Sequence, residues 1–300
     1  MNLRMIALGL IAMTLAGCES TRWNWFKPNS DVATKPGAPS SAAGLVNYLN
    51  TNAGRIRTMR VEDMSIDVTM GNQPIGLRGR VYAERERNFR MKVNAFGKDE
   101  VDIGSNRDEF WFWAAKNPEP YQYFCSYDDL NQGRVQSMPL PVQPEWVMEA
   151  MGMGAYGEPT RYTLEPNDSH TVRLVEKTRS PQGKPVRKVI VMNRKETKAP
   201  TPQVTAFLLI DEATNKEICS AHITATKVDR DTGAIVPYKM ELRMPGQNMK
   251  MTLKLDGMTV NSQIPATAFA RQTMSGVESF NLATGRPEPR GLLPAQGFQK

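Results

Sequence analysis

Residues 64–70 read MSIDVTM, residues 77–83 read LRGRVYA and residues 89–95 read FRMKVNA. In the first, Met64, Ile66, Val68 and Met70 alternate with polar neighbours. In the second and third, the same rhythm sets Leu77, Gly79, Val81 and Ala83, then Phe89, Met91, Val93 and Ala95, against Arg78, Arg80, Arg90 and Lys92. A period of two places one set on each face of a strand. Turn residues at Gly71-Asn72-Gln73-Pro74 and Glu84-Arg85-Glu86-Arg87 separate the runs. The pattern predicts an antiparallel meander, apolar on one face and basic and solvated on the other.

The rest of the chain repeats this grammar. Asp99–Ile103 extends the meander, Glu109–Trp113 sets Phe110 and Phe112 against Trp111, and Tyr121–Tyr127 is a further aromatic strand. In the second half, Met240, Leu242 and Met244 face Met249, Met251, Leu253 and Leu255 across a turn at Pro245-Gly246-Gln247-Asn248. The reading is mainly β: about ten or eleven strands in a single large curled antiparallel sheet, a half-open barrel, because sheets of that size must twist, curl or close. Short helices are expected to cover it. One is capped by Ser40 or Ser41, runs to about Asn52 and carries Leu45, Tyr48 and Leu49 inward. Another begins at Pro144 with Trp146, Val147, Ala150 and Met151 on one face. No linker interrupts the middle, so one domain is expected over 42–275, followed by a disordered tail over 276–300 rich in Pro and Gly.

The N-terminus has the layout of an export signal: Arg4, then an apolar run from Met5 to Leu15. Its end, Leu15-Ala16-Gly17-Cys18, resembles the lipobox of bacterial lipoproteins. That resemblance implies removal of residues 1–17, lipidation of Cys18 and attachment to a membrane. Residues 18–41, with Pro28, Pro36 and Pro39, then form a flexible tether. Trp23, Trp25 and Phe26 either rest at the headgroup level or contact the folded domain.

Loss of residues 1–17 removes Arg4 and lowers the formal charge from +7 to +6. That charge is spread over many strands with no basic block, which argues against nucleic acid as a partner. Cys125 and Cys219 each sit in an apolar strand-like setting, and the sequence leaves a disulfide and two buried thiols as equal alternatives. The two histidines, His170 and His222, lack metal-ligand spacing, and no nucleophile elbow, phosphate loop or cofactor motif is present. The reading is therefore a non-enzymatic protein without a cofactor. Asp63, Asp67 and Glu109 remain the carboxylates to watch.

Together the lipobox, Leu77-Arg78-Gly79, Phe89-Arg90-Met91-Lys92, Ser105-Asn106 with Phe110-Trp111, and the Ile210-Asp211 and Lys227-Val228-Asp229 region resemble the Lol carrier family of bacterial envelopes (LolA/LolB-like). Its members are the periplasmic lipoprotein carrier and the outer-membrane lipoprotein receptor. The resemblance implies a helix-covered half-barrel with an apolar groove for acyl chains. It also implies lipid, acyl-chain or lipoprotein cargo as partner. Glu19 after Cys18 agrees with the family habit of outer-membrane residence, facing the periplasm. Lining residues would be Met64, Ile66, Val68, Leu77, Val81, Phe89, Met91, Val93, Phe110, Phe112, Met240, Leu242, Met251 and Leu253. The protruding apolar loop of the receptor is not identifiable in the sequence. The alternative is an envelope structural or interaction protein with a fully packed sheet, docking a protein partner through a strand edge or the Glu145–Met151 helix.

Overall fold

The computed structural model describes residues 41–288, except 71–72, 120, 136–137 and 139–142. Cys18 and the expected signal and tether lie outside the described residues. Two meanders build the sheet. The first comprises β1 (Thr58–Met70), β2 (Gln73–Glu84), β3 (Asn88–Ala95), β4 (Lys98–Ser105), β5 (Glu109–Ala114) and β6 (Tyr121–Ser126). The second comprises β7 (Tyr162–Pro166), β8 (Thr171–Arg179), β9 (Pro185–Asn193), β10 (Val204–Asp211), β11 (Glu217–Val228), β12 (Ile235–Met244) and β13 (Met249–Val260). Antiparallel pairing of β1 with β13, from Met59 opposite Val260 to Met70 opposite Met249, joins them. Among the described residues these thirteen strands and two C-terminal ones form a single 15-stranded sheet whose end strands do not pair, so the barrel stays open.

Two helical elements cover one face, called the inner face here. In α1 (Ala42–Gly54) the Ser41 hydroxyl accepts the Gly44 N–H at 3.1 Å, and Leu45, Val46, Leu49 and Ala53 are buried. The Asn52 amide exchanges two hydrogen bonds with the Ile235 backbone, at 2.9 and 2.8 Å, fixing the helix over the start of β12. A short α2 (Tyr127–Asn131) closes a satellite cluster with Phe110, Cys125, Leu130 and Val135. The roof proper is α3 (Pro144–Met148), which widens into one π turn at Glu149–Met153. The wider turn rotates the inward face. Trp146, Met148, Ala150, Met151 and Met153 are buried, while Val147, expected inward, is half-exposed. Both meanders hold the roof. Arg85 donates to the Gly154 carbonyl at 2.7 Å, Arg87 lies 3.3 Å from Glu145, and Lys188 of β9 reaches Glu149 at 2.7 Å.

On the outer face the structure departs from the sequence pattern twice. The tail expected over 276–300 is ordered as far as it is described: β14 (Glu278–Asn281) adds to β6 in parallel, and β15 (Arg286–Pro287) pairs with β14. Few large apolar residues mark this segment, because its order comes from backbone pairing and polar contacts. Before reaching β6, the chain crosses the outer face of the first meander. There Arg90, expected in solvent, is 3% exposed. Its guanidinium donates to the Ala270 carbonyl at 2.6 Å and to Asp102 at 2.5 Å, while the Trp111 indole N–H reaches the other Asp102 oxygen at 3.4 Å. Gln122 donates to the Gln272 carbonyl at 3.2 Å, and the Arg271 guanidinium sits 3.8 Å over the Phe124 ring. Arg78 and Arg80 stay exposed, as the alternation predicts.

Trp111 lies flat on Gly104, where an added Cβ would meet ring carbon Cζ2 at 2.1 Å. Gly104→Ala is therefore expected to lower stability by about 2–3 kcal/mol through overpacking. Gly246→Ala, with nothing within 4 Å of its Cβ, should be close to neutral. Asp102→Ala leaves Arg90 buried and unpaired and should cost about 3–5 kcal/mol. Asp63→Ala, which breaks an exposed pair with Arg78, should cost less than about 1 kcal/mol. Urea denaturation of the four variants checks these values.

Candidate functional site

Side chains on the inner face form rows across the strands. One row runs Ile75, Val68, Met251, Leu242, Ala221 and Phe207 from β2 to β10. Another runs Val81, Met91, Ile103 and Phe112 from β2 to β5. The structure divides the fourteen residues predicted to line a groove. Met64, Ile66, Val68, Val81, Phe89, Val93, Phe110, Met240, Leu242 and Leu253 are buried. Phe110 belongs to the satellite cluster under α2, the other nine to the main core. Leu77, Met91, Phe112 and Met251 are half-exposed. They share that state with Val101, Ile103, Val147 and Met249, which the sequence reading did not select and which pack against the main core. Val147 belongs to the roof itself, the others lie on β2–β5 and β13, and α3 packs against β4. Those on the sheet form a partly buried apolar floor on the inner face, with Ile75 exposed beside it.

A cavity of about 40 Å³ lies between α1, the roof and β10–β12, lined by residues including Tyr48, Asn52, Phe207, Ile223 and Ile235. None of the fourteen lines it. That volume is about one water's share, far below the roughly 300–1,000 Å³ of small-molecule pockets. A long ligand does not fit this cavity.

The hairpin that carries Met91, Val101 and Ile103 ends in Phe96 and Gly97. Phe96 is fully exposed, at 103% of its reference area, and holds a positive φ of 50°. A bulky residue is disfavoured in that conformation and a bare ring in water gains nothing from it. The sequence reading found no protruding apolar loop. Phe96-Gly97 falls just past the alternating run, and only the two-residue turn shows that the ring points away from both faces.

Neither cysteine is bridged, and both are buried. The disulfide alternative fails because β6 and β11 are separated by seven strands in the sheet. A bridge needs Cα atoms within about 7 Å. Burial, aided by Asp129 and Glu109, pushes the Cys125 thiol up to about 12, and burial also raises the Cys219 thiol.

The nearest approach to a nucleophile–base pair is Ser220 Oγ with His222 Nε2, 3.1 Å apart on the outer face. Ser220 has no exposed area, and Glu241, opposite His222, is engaged by Arg243 and Lys250 at 2.6 and 2.7 Å. Burial and Arg243 depress the imidazole's proton affinity. Asp63 pairs with Arg78, Glu109 pairs with Arg271, and Asp67 is exposed, so the three carboxylates do not converge. Among the described residues, no three His, Cys, Asp or Glu side chains are grouped to hold a metal ion.

No protein-family model matches the sequence, and no curated protein does. Solved structures with a similar strand arrangement include a DUF1329 family protein from Desulfovibrio piger, 8% identical, with a TM-score of 0.48 over 77% of this chain and 98% of that one. A domain from Vibrio parahaemolyticus, provisionally described as an outer membrane lipoprotein-sorting protein, is 11% identical with a TM-score of 0.46, covering 75% of this chain and 95% of that one. A LolA superfamily protein from Nitrosomonas europaea is 12% identical with a TM-score of 0.46, covering 75% and 97%. At such identities the likeness concerns the fold, not what the chain binds.

In the native protein, both thiols are expected to resist alkylation at pH 8 and to react fully once the chain is unfolded. Mass spectrometry of the alkylated chain reads this directly; a bridged species would contradict the structure.

Proposed function

We propose that this chain is an envelope lipoprotein, anchored through an acylated Cys18 after loss of residues 1–17, that holds an acyl chain along its open inner floor. The observation that carries this reading is the floor itself. On the inner face Leu77, Met91, Phe112 and Met251 are only partly buried beside a fully buried core, and Ile75 next to them is exposed. Burying methylene groups there yields roughly 0.8 kcal/mol each. Met side chains suit an irregular, adaptable contact. Phe96 adds a second support, because a fully exposed ring at the tip of the same hairpin is suited to enter a lipid surface. The anchored chain would then bring the floor and the bilayer together, in the outer membrane and facing the periplasm.

One observation favours a rival reading. Ten of the fourteen residues expected to line a groove are buried in packed clusters instead, as in an envelope interaction protein without a lipid ligand. Recovery of the lipidated protein from native membranes, followed by lipid extraction and mass spectrometry, separates the two. The acyl reading expects a lipid species bound beyond the covalent anchor, reduced by Met91→Glu. A dry wild-type protein with a stoichiometric protein partner would end it.

For the tip, the mature chain carrying Cys18→Ser is expected to sediment with anionic vesicles, and Phe96→Asp to weaken that association by about tenfold or more. Withdrawing one aromatic side chain from an apolar phase costs roughly 1.5–3 kcal/mol. Unchanged sedimentation would remove Phe96 from the mechanism.

A further inference from the structure

The open floor does not stop at β5. Register carries its row onward from Met91 on β3 through Ile103 and Phe112 to Tyr123 on β6, and then to Phe280 on β14. Phe280 is half-exposed, and its ring centroid lies 5.5 Å from that of Tyr123 and 5.2 Å from that of Tyr121. Tyr121 and Tyr123 meet edge to face at 6.1 Å. The Tyr123 hydroxyl donates to Glu119 at 2.6 Å, which pins the ring; Tyr123 itself is buried, so the row reaches Phe280 over a covered ring. The segment expected to be disordered therefore supplies the last apolar side chain of the row.

From this continuity we propose that β14 completes the acyl-binding floor and that Phe280 sets the length of chain it accepts. The proposal rests on the acyl reading above. With β14 the row crosses four strand-to-strand steps of roughly 4.8 Å each, about 19 Å in all. Without it the row ends at Tyr123 after about 14 Å. The bilayer's hydrocarbon core is about 30 Å thick and two leaflets share it, so one membrane-lipid chain extends over about 15 Å. The longer row accommodates such a chain with its end over Phe280. The shorter row is slightly too small. The occupant is a long acyl chain, because every side chain of the row is apolar or aromatic; Glu119 beside it accepts the Tyr123 hydroxyl, and Glu278, opposite Tyr121, stands exposed at its margin.

The test uses the mature chain with Cys18→Ser and two probes, palmitate with sixteen carbons and decanoate with ten, followed by calorimetry. Phe280→Ala is expected to weaken palmitate binding by about tenfold and to leave decanoate binding unchanged. Phe280→Leu keeps an apolar side chain on β14 and serves if the alanine variant fails to fold; it should weaken palmitate by about threefold. Met91→Glu, at the other end of the row, should abolish binding of both. If wild type binds palmitate and Met91→Glu loses it while both Phe280 variants bind as wild type, β14 has no part in the site and this proposal falls alone. If wild type binds neither probe, the acyl reading falls and takes this proposal with it.

Discussion

Pairing of β1 with β13 is the constraint on which the rest of the molecule depends. These strands lie at opposite ends of the two meanders, and their eleven paired positions turn two curved ribbons into one sheet. The pairing also sets the faces. It places Ile66 beside Leu253 and Val68 beside Met251, so the apolar rows of the two halves run into one another without a break. A slip of one residue would turn every β1 side chain to the wrong face. The bulge between Val61 and Met64 in the pairing of β1 with β2 shifts the phase once, and the apolar pattern in the sequence shifts with it.

A continuous apolar face requires a cover that both halves can hold. The roof meets that need with apolar contact at its centre and polar contact at its ends: Arg85 and Arg87 from the first meander, Lys188 from the second. Glu149 illustrates the compromise. Burial raises its proton affinity, while the nearby Lys188 ammonium opposes the shift. The roof is short, however, and a sheet of this width extends past it. The partly buried floor is what remains where neither α1 nor the ten-residue roof lies over the sheet.

Period-two alternation made the inner face legible, because burial on one side of a strand is the strongest signal a sequence carries. It also located α1 and the start of α3, through Ser41 and Pro144. It did not reveal the outer face of the first meander. Alternation predicts a polar side but says nothing about whether a distant segment crosses it, so Arg90 read as a solvated charge while it forms a buried pair with Asp102. The order of 278–287 was hidden for a related reason: a short strand pairing through its backbone needs no apolar pattern of its own. The π turn was equally unreadable, since Val147 and Met148 differ only in which one the wider turn sends inward. Of the site, the floor residues were found only as members of a larger apolar set. Phe96 was missed, because a turn breaks the periodicity that made its neighbours visible.

The ends of the sheet explain why the C-terminal segment lies where it does. An open sheet presents two edges with unpaired backbone groups, and such edges invite pairing between chains. At one end, β7 is only five residues long, with Pro159 before it and Pro166 at its close, which limits the length any neighbour could match. At the other end, β6 is rich in aromatic residues and would make a longer, stickier edge. There the chain supplies its own cover: β14 pairs with β6, and β15, containing Pro287, pairs beyond it. The crossing of the outer face that buries Arg90 is the path the chain must take from β13 to reach that edge. Edge protection, the buried ion pair and the aromatic extension of the floor are thus three consequences of one return of the C-terminal segment to β6.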